Sequence, residues 1–483
     1  MVDTGISRIL KRSHIEVFKK FVKFIGPGIM VSVAYMDPGN YSTSVSGGAQ
    51  FKYKLLFITF ISNIFAIVLQ CLCIKLGTVT GLDLAENCRR HFPKRWNYVL
   101  YAFAELAIIA TDLAEVIGAA VALNILFNIP LVWGVLLTIL DVLIILIFYK
   151  PDEHSMKKVR AFETFVGVLV GATVICFAIE LFKITVPSKM EVFKGFIPSP
   201  IIFKEQQAMY ISLGILGATV MPHSLFLGSS VVKPRVHEYD LKKYGKIKEQ
   251  PSIGAIEYTL QYSYAELIIS LFFIATFVNA SILIVAGATL YGQPDAEDAD
   301  LLSIYELLSQ YVSPAAGLIF ALAMLFSGQS AGIICTMAGQ IVSEGFLKWS
   351  LDPWLTRLVT RLIAIVPCFL VTIFLGEKGV SAILNLSQVV LSLILPIVSA
   401  PLIYFTMNPS IMTVTDVDVT SNSAGSTADS SEETHLLSSK KSESVNYTNS
   451  KTLSAVAFLI WLTIGTLNCY LVFSYLAGAD VHF

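Results

Sequence analysis

Two tetrapeptides place metal-ligating atoms beside helix-breaking residues in apolar surroundings. The first is Asp37-Pro38-Gly39-Asn40, within "SVAYMDPGNYSTSVSGG"; the second is Met221-Pro222-His223-Ser224, within "YISLGILGATVMPHSLFLGSS". A proline in a helix interior costs about 3 kcal/mol, and a carboxylate near a bilayer centre adds roughly 2.5 to 3.5 kcal/mol on insertion scales. Asp37 offers a carboxylate, Asn40 an amide oxygen and Met221 a thioether. Pro222 has no N–H, so it leaves the carbonyl of Ala218, four residues earlier, without its helical partner. Oxygen ligands alone would suit Ca²⁺ and Mg²⁺, whereas a thioether favours softer first-row ions. Together the four groups read as a site for a divalent transition metal, with Met221 as its filter. A methionine in a membrane helix more often fills the core, so this reading depends on its neighbours.

The elements that must carry these residues are membrane helices. The chain has 483 residues, 55% hydrophobic and 14% charged, with a mean hydropathy of +0.70, which excludes an ordinary soluble globular protein. A hydrocarbon core takes roughly 20 helical residues to cross. Apolar runs of that order predict eleven spans: 26–46, 55–77, 98–124, 131–149, 161–182, 208–230, 258–286, 314–338, 358–375, 383–405 and 454–476. Residues 1–20 carry no apolar core of the kind a cleaved signal peptide needs. Of the 34 Lys and Arg, 24 fall in the amino-terminal segment or in every second loop after it. By the positive-inside rule that face is cytosolic, so the amino terminus is cytosolic and the carboxyl terminus lumenal.

The first and sixth spans share one design, an X-Pro bond among small and polar residues near the middle. A separation of five spans is the signature of an inverted repeat whose two interrupted helices meet at the midplane. The expected architecture is therefore all-α: a cytosolic segment 1–25, a first five-helix repeat 26–182, a lumenal loop 183–207, a second repeat 208–405, a linker 406–453, and an eleventh helix with a lumenal tail, 454–483. The linker is rich in Ser, Thr and acid, and reads as disordered and cytosolic. Within it Glu432, Leu436 and Leu437 match an acidic dileucine sorting signal for cytosolic adaptors, a match also common by chance in polar tails. Leu301, Tyr305 and Leu308 share a helical face behind Asp295, Glu297, Asp298 and Asp300, as in an amphipathic helix lying on the lumenal surface. The seven cysteines have no metal-finger spacing and read as packing residues. The sequons at Asn40, Asn279, Asn385 and Asn446 fall in spans or on the cytosolic side, so no glycan is expected.

A second set of polar residues lies off the metal site. Glu105, Asp112 and Glu115 are spaced seven and three apart, which puts them on one face of the third span. Buried carboxylates in a row suit a proton relay or an ion-paired seam. Arg361, with Arg357 a turn before it, is the natural counter-charge. Asp141 and Glu266 are further intramembrane acids without an evident role.

The pairing of "DPGN" in span 1 with "MPHS" in span 6 resembles the Nramp family of proton-coupled divalent-metal transporters, over spans 1 to 11. The resemblance is nearest to the fungal branch that moves iron at vacuolar or endosomal membranes. It implies a LeuT-like fold with helices 1 and 6 unwound, and metal ligation by Asp37, Asn40, Ala218 and Met221. It adds Gln388, in "NLSQVVLSLILP", although a lone Gln often only bonds a neighbouring helix. It also implies proton movement through Asp112, Glu115, Arg361 and His223, the last of which titrates in the range of an acidic organelle. The function so implied is Fe²⁺ transport from lumen to cytosol by alternating access, with no permanently bound cofactor and no nucleic-acid partner.

The alternatives are a manganese transporter of the same family at the plasma membrane or endosome, and a sodium-coupled amino-acid carrier of the same architecture. In the latter, Asp37 would repel the substrate carboxylate. A membrane-embedded enzyme is disfavoured by the lack of a nucleophile elbow or zinc-protease motif.

Overall fold

The computed structural model describes residues 26–138, 156–186, 188–248, 250–293, 301–348, 353–417 and 442–476. Helices α1 (Pro27–Val33) and α2 (Pro38–Phe51) are followed by α3 (Leu56–Thr80), α4 (Leu84–His91), α5 (Lys94–Phe127) and α6 (Met156–Lys183). Short helices α7 (Lys189–Gly195) and α8 (Ile201–Lys204) lead to α9 (Gln206–Thr219), α10 (Pro222–Ser230) and α11 (Lys233–Tyr244). Then come α12 (Ile253–Ile269), a π turn over Ser270–Ala275, α13 (Thr276–Thr289), α14 (Leu301–Tyr311), α15 (Pro314–Leu347) and α16 (Pro353–Met407). A one-turn helix α17 (Pro409–Met412), strands β1 (Thr413–Val417) and β2 (Ser442–Asn446), and α18 (Lys451–Leu476) complete the order.

Eight helical stretches among the described residues are long and apolar enough to cross a membrane. The first expected span is split between α1 and α2, each too short alone. The fourth is helical over 131–138, and its remainder lies outside the described residues. The ninth and tenth, expected as separate helices, run together in α16. The junction "GEKGVSA" contains no proline, and its two glycines each disfavour helix by only about 1 kcal/mol, so its backbone has no obligatory break.

Two surface expectations also change. The apolar face of α14 is buried, with Leu301, Ile304 and Leu308 at most 3% exposed, and it packs on α15 rather than lying on lipid. The 406–453 linker is ordered at its base, where β1 and β2 pair antiparallel from Thr413↔Asn446 to Val417↔Ser442. Alternating Val414 and Val445 with polar neighbours suits such a ribbon. Asn449 ties the ribbon's end to the helices by donating to Thr406 and accepting from Lys75 at 2.9 Å each. Glu432, Leu436 and Leu437 lie outside the described residues, as do Asp295, Glu297, Asp298 and Asp300.

The centre of the molecule is α5, which packs on α15 and α16. Its buried face carries Ala104, Ala107, Ala114, Ala120 and Ala122. Small residues let helix backbones approach closely where no hydrophobic force separates protein from lipid. Gly118 continues that face against Pro38: a Cβ there would lie 2.2 Å from the proline ring. Helix α5 thus holds the α1–α2 break in place from behind.

Candidate functional site

The two X-Pro sequences interrupt their helices in the same way. A proline disfavours helical backbone in the residue before it. Asp37 (ψ 166°) and Met221 (ψ 128°) are accordingly extended and act as N-caps of α2 and α10, each with proline at the first helical position. Asp37 Oδ1 accepts the Asn40 backbone N–H at 3.0 Å, a side-chain cap that fixes the carboxylate at the break.

The breaks meet through Asn40. Its Nδ2 donates to Asp37 Oδ1 at 2.8 Å and to the Ala218 carbonyl at 2.8 Å. The Ala218 carbonyl, which Pro222 cannot reach with an N–H, is thus turned toward the other broken helix. Asn40 Oδ1 accepts from Thr219 Oγ1 at 3.4 Å. Asp37, Ala218 and Met221 are wholly buried, and Asn40 is 1% exposed.

Gln388, on α16, reaches the same place. A Cβ on Gly39 would lie 2.2 Å from Gln388 Nε2, and one on Gly217 would lie 2.0 Å from the Gln388 carbonyl. Both glycines are required for this three-way approach. Asp37 Oδ2 and Gln388 Oε1 are buried without a hydrogen-bond partner among the described residues. Such orphaned acceptors cost about 1 to 3 kcal/mol each unless something satisfies them. The site therefore gathers Asp37, Asn40, Ala218 and Gln388 around two unused oxygens, with Met221 three residues beyond Ala218.

The second set is partly brought to the first. His223, 1% exposed, meets Thr111 Oγ1 through Nδ1 at 3.2 Å, while its Nε2 has no partner among the described residues. Thr111 lies next to Asp112 in the chain, so the imidazole reaches α5 at the level of its acidic residues. Asp112, Glu115 and Cys335 offer ligand atoms within 4.8 Å of one another, all buried. Glu105 lies two turns away toward the start of α5 and is partly exposed. Arg361 lies on α16, but its side chain, like that of Arg357, falls outside the described residues, as does Asp141.

Several supporting residues had no role assigned from the sequence. Gln70 on α3 donates to Tyr35 Oη at 2.9 Å and to the Ser224 carbonyl at 3.0 Å, and Ser224 Oγ donates to the Met221 carbonyl at 2.7 Å. Ser327 on α15 donates to the Met36 carbonyl. These bonds satisfy backbone freed by the breaks, as irregular structure in a membrane requires. Glu266 gains a role: its carboxylate accepts the N–H groups of Gly26 (2.9 Å), Gly28 (2.7 Å) and Ile29 (3.2 Å), capping α1 from α12. A buried Arg235–Glu163 pair, at 2.8 and 3.0 Å, braces the same foot against Gly26. Single polar residues in apolar runs, such as Gln70, were the only signal the sequence gave.

The chain matches the family model for Nramp, described as natural resistance-associated macrophage protein-like, over residues 28–428. It is 71% identical over 472 residues to the iron transporter SMF3 of Saccharomyces cerevisiae, covering 98% of this chain and 100% of that one. It is 49% identical to the manganese transporter SMF1 of the same yeast, covering 97% and 88%. Among solved structures, a crystal structure of the Eremococcus coleocola manganese transporter superposes with a TM-score of 0.76 at 31% identity, over 96% of this chain and 90% of that one. The fold extends to Mhp1, a nucleobase-cation-symport-1 transporter, with a TM-score of 0.52 at 14% identity, over 79% and 78%. The two broken helices and the residues at their breaks thus stand in a chain that belongs to the Nramp family.

Proposed function

We propose that this protein carries divalent transition-metal ions, Fe²⁺ foremost, across a vacuolar or endosomal membrane from lumen to cytosol, driven by protons. The observation that carries the reading is the convergence at Asn40. One amide nitrogen lies 2.8 Å from both Asp37 Oδ1 and the Ala218 carbonyl, beside an unpartnered Asp37 Oδ2. Those acceptors now share the hydrogens of a single NH₂ group. A cation arriving there takes the place of those hydrogens, and a half-turn of the Asn40 amide presents Oδ1 to it. Met221 supplies a sulfur that disfavours Ca²⁺ and Mg²⁺, and Gln388 Oε1 adds a further oxygen.

The architecture is eleven membrane spans, two inverted five-span repeats over 26–182 and 208–405, with α16 supplying both the ninth and the tenth, followed by a further helix at 454–476. The breaks lie at the midplane, with the amino terminus cytosolic and the carboxyl terminus lumenal. Rocking of the repeats about the cation exposes it to one face and then the other. Protons travel by His223, Thr111, Asp112 and Glu115, with Arg361 as counter-charge. Iron is favoured over manganese by the 71% identity to a yeast iron transporter, against 49% to a manganese transporter.

The test is metal uptake into proteoliposomes. Asp37→Ala abolishes Fe²⁺ and Mn²⁺ uptake while the protein remains folded in detergent; retained uptake would remove the site from the transport path.

A further inference from the structure

Glu180 lies near the end of α6, wholly buried, and both of its carboxylate oxygens lack a hydrogen-bond partner among the described residues. Lys183, exposed one turn further on, acts on it electrostatically without bonding to it. A buried carboxylate in that condition calls for a cation, a proton or water. Its surroundings connect it to the metal site. Phe177, one turn before it on the same face of α6, packs its ring 5.3 Å from that of Tyr41, and Tyr41 packs 5.9 Å from Phe320 of α15. Tyr41 immediately follows Asn40, and its hydroxyl is held by the Ala323 carbonyl at 3.2 Å. The Tyr41 hydroxyl lies within electrostatic reach of both Glu180 and Asp37.

The direction of this arrangement follows from its connections. Helix α6 leads into α7, whose Glu191 pairs with Lys52 at 2.7 Å and whose end, Gly195, abuts the Tyr53 carbonyl. Helices α2 and α6 therefore finish at the same face of the molecule, the one away from the charge-rich loops. Glu180 sits about 4.5 Å beyond Phe177 toward that face, by helical rise. The order from that face inward is Glu180, three packed rings, then Asp37.

We propose that Glu180 is the outer station of the transport path, a carboxylate that receives the divalent cation before the rings of Tyr41, Phe177 and Phe320 part to admit it to Asp37. This inference rests on the proposed metal transport and adds a residue to it.

The experiment measures Mn²⁺ flux in proteoliposomes sorted by orientation, with metal offered from either face. Glu180→Gln raises KM from the α2–α6 face roughly tenfold, the scale of a lost auxiliary metal contact, leaves the KM from the opposite face unchanged, and lowers Vmax from that opposite face by the same factor, since Vmax/KM must change equally in the two directions. Lys183→Gln, at an exposed position, lowers KM from the α2–α6 face about twofold, as expected when an exposed opposing charge is removed; this arm stands even where Glu180→Gln fails to fold. Wild-type KM in both variants, or a KM raised equally from both faces, overturns the outer station. A wild-type protein with no Mn²⁺ flux overturns the transport reading itself, and is told apart because the first failure leaves wild-type flux intact.

Discussion

Gly118→Ala tests whether α5 positions the carboxylate at the first break. The added Cβ would lie 2.2 Å from Pro38 Cβ and 2.3 Å from Pro38 Cγ. Carbon atoms settle at about 3.5 Å or more, so α5 and Pro38 must part by roughly 1.3 Å. The proline ring has no rotamer with which to yield, so the displacement passes directly to Asp37, its neighbour. Overpacking of this kind costs about 1 to 3 kcal/mol of stability. Displacing a buried ligand by about 1 Å costs roughly 10- to 100-fold in affinity or rate. The expected result is a Mn²⁺ KM raised at least about tenfold, with a folded but less heat-stable protein in detergent. Gly171→Ala on α6 is the control, because a Cβ there meets no described residue within 4 Å; its kinetics remain those of wild type. Wild-type kinetics in Gly118→Ala would show that the contact between α5 and Pro38 does not set the geometry of Asp37.

Met221→Ala removes the thioether and admits Ca²⁺ as a competitor of Mn²⁺ uptake; unchanged exclusion of Ca²⁺ would remove sulfur from the selectivity argument. Glu163→Gln removes the carboxylate that pairs with buried Arg235 at 2.8 and 3.0 Å, which costs up to about 3 to 5 kcal/mol, less what Glu266 nearby returns, and is read as a lowered melting temperature in detergent. Glu266→Gln keeps the size of the side chain but weakens three charge-assisted caps on α1, at about 1.5 to 3 kcal/mol for the strongest of them; hydrogen exchange at Gly28 and Ile29 rises. An unchanged exchange rate would show that α1 is held by packing alone.

Both helix breaks could be located in the sequence because proline acts locally: it forces extended backbone on Asp37 and Met221 whatever surrounds them. The liberation of the Ala218 carbonyl follows from the same missing N–H. What the chain could not reveal was which distant side chains would attend to the exposed backbone. Gln70 and Ser327 are ordinary polar residues in sequence, and only packing brings them to Tyr35 and Met36; the Ser224 bond to Met221 is local, three residues back. The acidic face of α5 was visible from its spacing, but Thr111 and Cys335 join it through contacts with α10 and α15, which no periodicity encodes. Glu266 had a place and no partner until α1 was seen docked on α12. The boundaries that shifted lie where local rules are weak, at the proline-free junction inside α16 and at the short β ribbon closing a polar segment.

The most direct test is to locate the ion itself, by anomalous scattering from crystals grown with Mn²⁺. The account predicts one strong peak between the α1–α2 and α9–α10 breaks, within bonding distance of Asp37, Asn40, the Ala218 carbonyl and Met221, with the Asn40 amide turned to offer oxygen. A peak confined to Asp112, Glu115 and Cys335, with the breaks empty, would contradict it.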